Sequence, residues 1–298
     1  MENIKIHRWT RSPRDASIRH MSTEVLRYTA FSTDPAGGNP AGVVLDGVGL
    51  DDSEMQRIAG KVGYSETAFL NHTDDRHYRV RYFSPLAEVD FCGHATIATA
   101  VALTERIGPG TLNFRTNTGD VVVETSAADD HPAATLTSVA THSRAATATE
   151  ISGTLEALGW DPADLDPAFP ARVAYAGNEH LMLAAASRER LAALNYDFDA
   201  LGAVMREAGW TTVHLFWHED DRRFQARDPF PIGGVVEDAA TGAAAAAFGG
   251  YLRDIGYAES GRISITQGVD MGRPSLLLVD LDPAAAGIRV TGHAVRID

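Results

Sequence analysis

The chain has 298 residues, 44% of them apolar, and a formal net charge of −14. That length accommodates two hydrophobic cores, and that apolar content excludes general disorder. So acidic a surface repels nucleic acid, no apolar stretch is long enough for a membrane-spanning helix, and the single cysteine, Cys92, excludes an intramolecular disulfide or a Cys-rich metal cluster.

Residues 1–20 hold five Lys or Arg with no apolar block after them, so they do not read as a secretory signal; residues 1–22 are expected to form a mobile extension. Val25 to Phe31 predicts a strand ending in a Gly/Pro/Asn-rich turn that contains Asn39. Ser53 to Val62 predicts a helix with Ser53 as N-cap and Gly63 as its stop. Thr67–Asn71 and His77–Ser84 read as strands, followed by a small apolar helix from His94 to about Glu105. Extended stretches at 111–125 and 134–138 complete this half. The second half predicts a short helix at 153–158, strands at 171–176 and 180–185, and a helix at 199–209 capped by Asp199. Strands at 212–218 and 223–226, an Ala-rich helix at 242–252 and three late strands follow.

The two halves repeat one theme. Phe83-Ser-Pro, then Cys92-Gly-His-Ala-Thr, leads into an apolar helix closing at Ile107-Gly108; Asp228-Pro-Phe-Pro, then Asp238-Ala-Ala-Thr-Gly, leads into a run of alanines closing at Ile255-Gly256. Such a spacing, about half the chain, indicates domain duplication rather than a solenoid. Helices this small and uncharged suit the centre of a curved sheet. No Gly-x-Gly-x-x-Gly, Gly-Lys-Ser/Thr or His-Glu-x-x-His string occurs, so nucleotide and metalloprotease readings lack support.

Neither central helix carries an acid in its first turn, so two positive dipole ends are free to make an anion site if duplication brings them together. Glu66 precedes an apolar strand, and a carboxyl among apolar neighbours suits general acid or base work. His94 and Asp238 stand at the two helix mouths; a His beside helical N–H groups favours the neutral ring, and Asp238 beside Glu237 makes a carboxylate pair in which one member is tuned upward. The structural alternatives are a strand cap or a surface ion pair with Arg for Glu66, a helix-cap role for His94 and an N-cap for Asp238. Cys92 reads as a small buried residue, and one thiol cannot supply a two-cysteine racemase.

These strings, with Tyr28-Thr-Ala-Phe, Gly38-Asn-Pro-Ala-Gly, Ser65-Glu-Thr-Ala-Phe, Gly177-Asn-Glu-His-Leu, Gln267-Gly and Met271-Gly-Arg-Pro-Ser, resemble in order the phenazine-biosynthesis PhzF-like branch of the diaminopimelate-epimerase fold. The resemblance implies an α+β fold of two similar domains, each a curved, mostly antiparallel sheet or barrel around a central Ala-rich helix. The domains are expected at 23–138 and 139–285, with residues 286–298 returning to the first. It further implies a cytoplasmic homodimer that needs no metal or organic cofactor and acts on a small anionic metabolite. Glu66 matches the proton-shuttling glutamate, His94 the site histidine and Asp238 the site aspartate. The backbone N–H groups of Gly93, His94, Gly242 and Ala243 match those that hold a substrate carboxylate, with Asn39 lining the cleft. Ala243 departs from the Ser common at that position. The expected activity is a cofactor-independent proton shift on a small carboxylate; the alternatives are an epimerase with Glu66 and Asp238 as opposed bases, and a non-catalytic metabolite-binding relative.

Overall fold

Strands dominate, and two apolar helices are wrapped by them. The computed structural model describes residues 23–127 and 131–298; the expected extension at 1–22 lies outside the described residues. In chain order the first half holds β1 (Leu26–Ala30), β2 (Asn39–Val44), α1 (Asp52–Val62), β3 (Glu66–Asp74), β4 (His77–Phe83), β5 (Glu88–Val89), α2 (Gly93–Ile107), β6 (Gly110–Thr116), β7 (Gly119–Ser126) and β8 (Ala133–Thr137). The second holds β9 (His142–Ala145), α3 (Ala148–Leu158), β10 (Arg172–Tyr175), β11 (Glu179–Ala184), α4 (Arg188–Ala192), α5 (Phe198–Ala208), β12 (Thr212–Asp220), β13 (Arg223–Pro229), β14 (Glu237–Asp238), α6 (Gly242–Asp254), β15 (Gly261–Gln267), β16 (Ser275–Leu281) and β17 (Arg289–Arg296).

Strand pairing closes a barrel of eight strands, β1-β2-β3-β4-β6-β7-β8-β17, because the last strand of the chain pairs antiparallel with both β8 and β1. The second half forms a curved sheet, β9-β10-β11-β12-β13-β15-β16, which continues into β17. Helix α2 fills the barrel and is buried from His94 to Thr104; α6 is enclosed by β9, β10, β11, β16 and β17 and is buried from Ala244 to Leu252. Alanine favours the helix, and its methyl lets surrounding strands close in. At Gly250 of α6 a Cβ would stand 2.6 Å from the Thr141 side chain, so only glycine admits this approach.

The outer faces carry the amphipathic helices. Met55, Ile58 and Ala59 of α1 pack on Phe69 and Phe83, while Leu155, Leu201 and Met205 of α3 and α5 pack on Val173, Leu181, Val213 and Leu215. The two-residue period of β12 sends Phe216 the other way, against Phe248 of α6 at 4.7 Å. Among the described residues no helix is long and apolar enough to cross a membrane.

Several expected boundaries move. The N-cap of α1 is Asp51 rather than Ser53, since Asp51 and Glu54 form a reciprocal capping box. The N-cap of α5 is Asp197 rather than Asp199, and α3 starts at Ala148 behind a Thr147–Glu150 capping box. The extended stretch at 111–125 is a hairpin, turned at Asn117-Thr118.

The internal repeat is also structural. Parallel register pairs Ala41 with Glu66 in the first half and His180 with Thr212 in the second, so Asn39 corresponds to Asn178 and Glu66 to Thr212. Tyr82 opposes Val89 as Asp228 opposes Asp238. Helix starts at Gly93 and Gly242 then match Cys92 with Thr241 and His94 with Ala243.

Candidate active site

Glu66 is the first residue of β3, and its side chain is 17% exposed. Its Oε2 lies 3.2 Å from Nε2 of His94, in the first turn of α2, and 3.4 Å from the Cys92 thiol, which donates to it. Asn39, the first residue of β2, reaches across. Its Nδ2 lies 2.7 Å from Asp238 Oδ1, 3.2 Å from the Ala240 carbonyl and 3.2 Å from His94 Nδ1. The Ala240 carbonyl can only accept, so the amide nitrogen, not its oxygen, faces this group. His94 Nδ1 therefore faces a donor and acts as acceptor, which puts the ring proton on Nε2, directed at Glu66. One unbroken chain, Glu66–His94–Asn39–Asp238, thus joins groups that are far apart in sequence.

Asp238 precedes α6 but does not cap it: the N-cap position is Thr241, with no side-chain cap bond. Asp238 Oδ1 accepts from Asn39, and Oδ2 accepts from the Thr241 hydroxyl at 2.7 Å. Burial raises Asp238 to about 6; a positive charge on His94, when that ring is protonated, and the Thr241 hydrogen bond oppose this, while the negative charges of Glu66 and Asp228 add to it. Asp228 is fully buried across the β13–β14 ladder and pairs with His214 at 2.9 Å. The expected Glu237–Asp238 pair is not formed, because Glu237 is taken by Arg227 in a bidentate bridge of 3.0 and 2.5 Å. Burial pushes the Cys92 thiol well above its ordinary value, and the Glu66 charge adds to it. A thiol so held stays protonated and is a donor, not a nucleophile.

The four backbone positions Gly93, His94, Gly242 and Ala243 open α2 and α6, which touch each other. Neither first turn contains an acid or receives a side-chain cap, so both keep their positive ends. Asn39 bonds His94 of one helix and the loop entering the other, so the two mouths lie within one side chain's reach. Glu66, Cys92 and His94 offer ligand atoms within 4.8 Å of one another, a set able to hold a metal ion. Against that stand the positive end of α2 and the Asn39 amide, which faces the ring nitrogen that a metal-bound imidazole uses as a donor.

Sequence reasoning missed Gln267 at the end of β15. Its Nε2 donates to the Asp238 carbonyl at 2.9 Å and to the Thr241 hydroxyl at 3.1 Å, and its Oε1 accepts from the Thr241 N–H at 3.1 Å. It also missed Arg273, whose guanidinium binds the Gly37 and Gly38 carbonyls at 2.6 and 2.8 Å and so fixes the turn before Asn39. Both lie in strings visible in the sequence, Gln267-Gly and Gly-Arg-Pro, but nothing local tells which distant loop they serve.

Known proteins resemble the chain over most of its length. The family model described as phenazine biosynthesis-like protein matches residues 28–298. An uncharacterised isomerase of Bacillus subtilis (strain 168) is 31% identical over 281 residues, covering 91% of this chain and 96% of that protein. The trans-2,3-dihydro-3-hydroxyanthranilate isomerase of Pseudomonas fluorescens is 32% identical over 279 residues, covering 89% and 94%. The crystal structure of the Bacillus anthracis phenazine biosynthesis protein, PhzF family, aligns with a TM-score of 0.80 at 26% identity, covering 92% of this chain and 96% of that one.

Proposed function

Because the chain belongs to the phenazine biosynthesis-like family, we propose that it is an isomerase in which Glu66 moves a proton between carbons of a small carboxylate. The substrate carboxylate sits on the N–H groups of Gly93, His94, Gly242 and Ala243, where two helix ends favour negative charge. Glu66 takes a carbon-bound proton. The electron pair left behind delocalises toward the carboxylate oxygens, where the same helix-end dipoles stabilise it. Glu66 then returns the proton to a second carbon on the same face. Side chains and backbone handle every proton and charge, so these steps draw on no metal or organic cofactor.

The observation that carries this reading is the Glu66–His94–Asn39–Asp238 chain, in which His94 and Cys92 hold Glu66 by Oε2 and leave its Oε1 to accept from carbon. Both oxygens of Asp238 are already engaged as acceptors. The counterparts of Glu66 and Cys92 in the second half are Thr212 and Thr241, neither of which is a base near neutrality. One-face transfer is favoured over two-base epimerisation for that reason.

The test uses trans-2,3-dihydro-3-hydroxyanthranilate in D₂O, with product followed by NMR. Expected are isomerised product and a hydrogen moved or exchanged on one face only. Glu66→Gln lowers turnover by about 10²–10⁴-fold, the usual range for a lost general base. Full turnover by the Gln variant removes Glu66 from the chemistry. Binding of this compound without movement of any carbon-bound hydrogen supports the metabolite-binding alternative instead.

A further inference from the structure

The hydroxyl of Thr241 has two neighbours, and their chemistry fixes its direction. Gln267 Nε2, 3.1 Å away, can only donate; Asp238 Oδ2, 2.7 Å away, accepts when ionised. Gln267 is itself held in one orientation, since its Oε1 accepts from the Thr241 N–H and its Nε2 donates to the Asp238 carbonyl; a flipped amide would set oxygen against oxygen and N–H against N–H. It is 1% exposed, so its amide is shielded from water. The next residue, Gly268, has φ +75, and a Cβ there would stand 2.4 Å from the Arg273 carbonyl and 2.8 Å from that of Ala239, so the turn carrying Gln267 is pressed directly against the Asp238 loop.

We infer that Gln267 is a positioning residue that acts through Thr241: by donating to the Thr241 oxygen, it commits the Thr241 proton to Asp238. The inference rests on the reading of Asp238 as a site residue, but it concerns a hydrogen bond that exists without substrate. The other ionisable groups around Asp238 are Glu66 from β3, Cys92 just before α2, His94 from α2, and Asp228 from β13. None of them touches Thr241 through a hydrogen bond among the described residues, so the Gln267–Thr241 pair can be varied independently of them.

The experiment is a carbon-13 NMR titration of the Asp238 carboxyl in aspartate-labelled full-length protein, with Asp238→Asn to identify the resonance. Thr241→Val removes the donor and raises the Asp238 midpoint by roughly one pH unit, the worth of one hydrogen bond to a charged group. Thr241→Ser restores it. Gln267→Met, which frees the hydroxyl to turn away, raises the midpoint in the same direction, and the double variant titrates with Thr241→Val alone. Gln267→Glu keeps the acceptor for the Thr241 N–H but, when ionised, cannot donate; it serves if the Met variant does not fold, and its shift must shrink in the Thr241→Val background. An unchanged midpoint in Thr241→Val, or a Gln267 effect of equal size with and without the hydroxyl, overturns the inference. Neither result bears on whether Glu66 moves a proton, which needs substrate to measure.

Discussion

Asp238 is a carboxyl whose surroundings disfavour its charge, and that has a stability consequence. Its midpoint is about 6 in the folded chain against an ordinary 3.8. Between these values the folded state holds a proton that the unfolded state has released, so stability contributed by this group falls as pH rises from about 4 to 6 and stays low above that. Two units correspond to roughly 2–3 kcal/mol. Asp238→Asn, which cannot ionise, is expected to be more stable than the parent in urea unfolding at pH 8, with the advantage shrinking toward pH 4. An advantage that is equal at both pH values would show that packing, not charge, sets it. At this scale the sequence was legible where a residue's chemistry is local. Glu66, His94 and Asp238 stood out as ionisable groups at turns and helix mouths. Gln267 did not, because its meaning lies in a bond to a residue 26 positions away. Cys92 was read correctly as buried, but its donation to Glu66 depends on where β3 starts, which no spacing shows.

Two elements of the repeat carry the same clamp with different surroundings. Arg81 grips Glu88 at 2.7 and 2.6 Å before α2, and Arg227 grips Glu237 at 3.0 and 2.5 Å before α6. The first pair is 21% and 28% exposed, the second 11% and 4%. Water can replace the partner of Glu88 but not that of Glu237, whose carboxyl is already pushed upward by burial with Arg227 opposing. Arg227→Met is therefore expected to cost about 3–5 kcal/mol in urea unfolding at pH 7, whereas Arg81→Met costs about 1 kcal/mol or less. Equal losses would mean that the two clamps are energetically alike despite their burial. The element pattern itself was largely readable, since α2 and α6 announce themselves by long runs of mostly small residues with no charge until their last turns. Helix starts were not, where polar residues crowd together. Asp51, Asp52 and Ser53 all make plausible caps, and what selects Asp51 is Glu54 three residues on, a pairing that Ser53 with Gln56 at that offset does not make in the structure.

The whole molecule depends on its last strand. β17 pairs with β1 and β8 to close the first barrel and with β16 to extend the second sheet, so one segment is shared by both halves. This could not be read from hydrophobic pattern, because a strand's partners at separations such as the 156 residues between Thr135 and Thr291 are set by topology and not by local propensity; only resemblance suggested the return. Deleting residues 287–298 strips the ladder from β1, β8 and β16 at once and removes Ile288, Val290 and Ala294 from the core, where they are 0–4% exposed. Ile288 and Val290 alone account for about 3–6 kcal/mol of burial, and buried strand edges left without partners add more. Against a typical total of about 5–15 kcal/mol, the loss exceeds what a single chain can spare. The truncated chain is expected to show no cooperative urea transition by circular dichroism and to elute as aggregate in size-exclusion chromatography. The second half alone, residues 139–286, is expected to fail likewise, since its β16 edge and the groove along α6 are finished by the same strand. A cooperative transition in either fragment near the parent midpoint would mean that the halves fold independently and that β17 only docks afterwards.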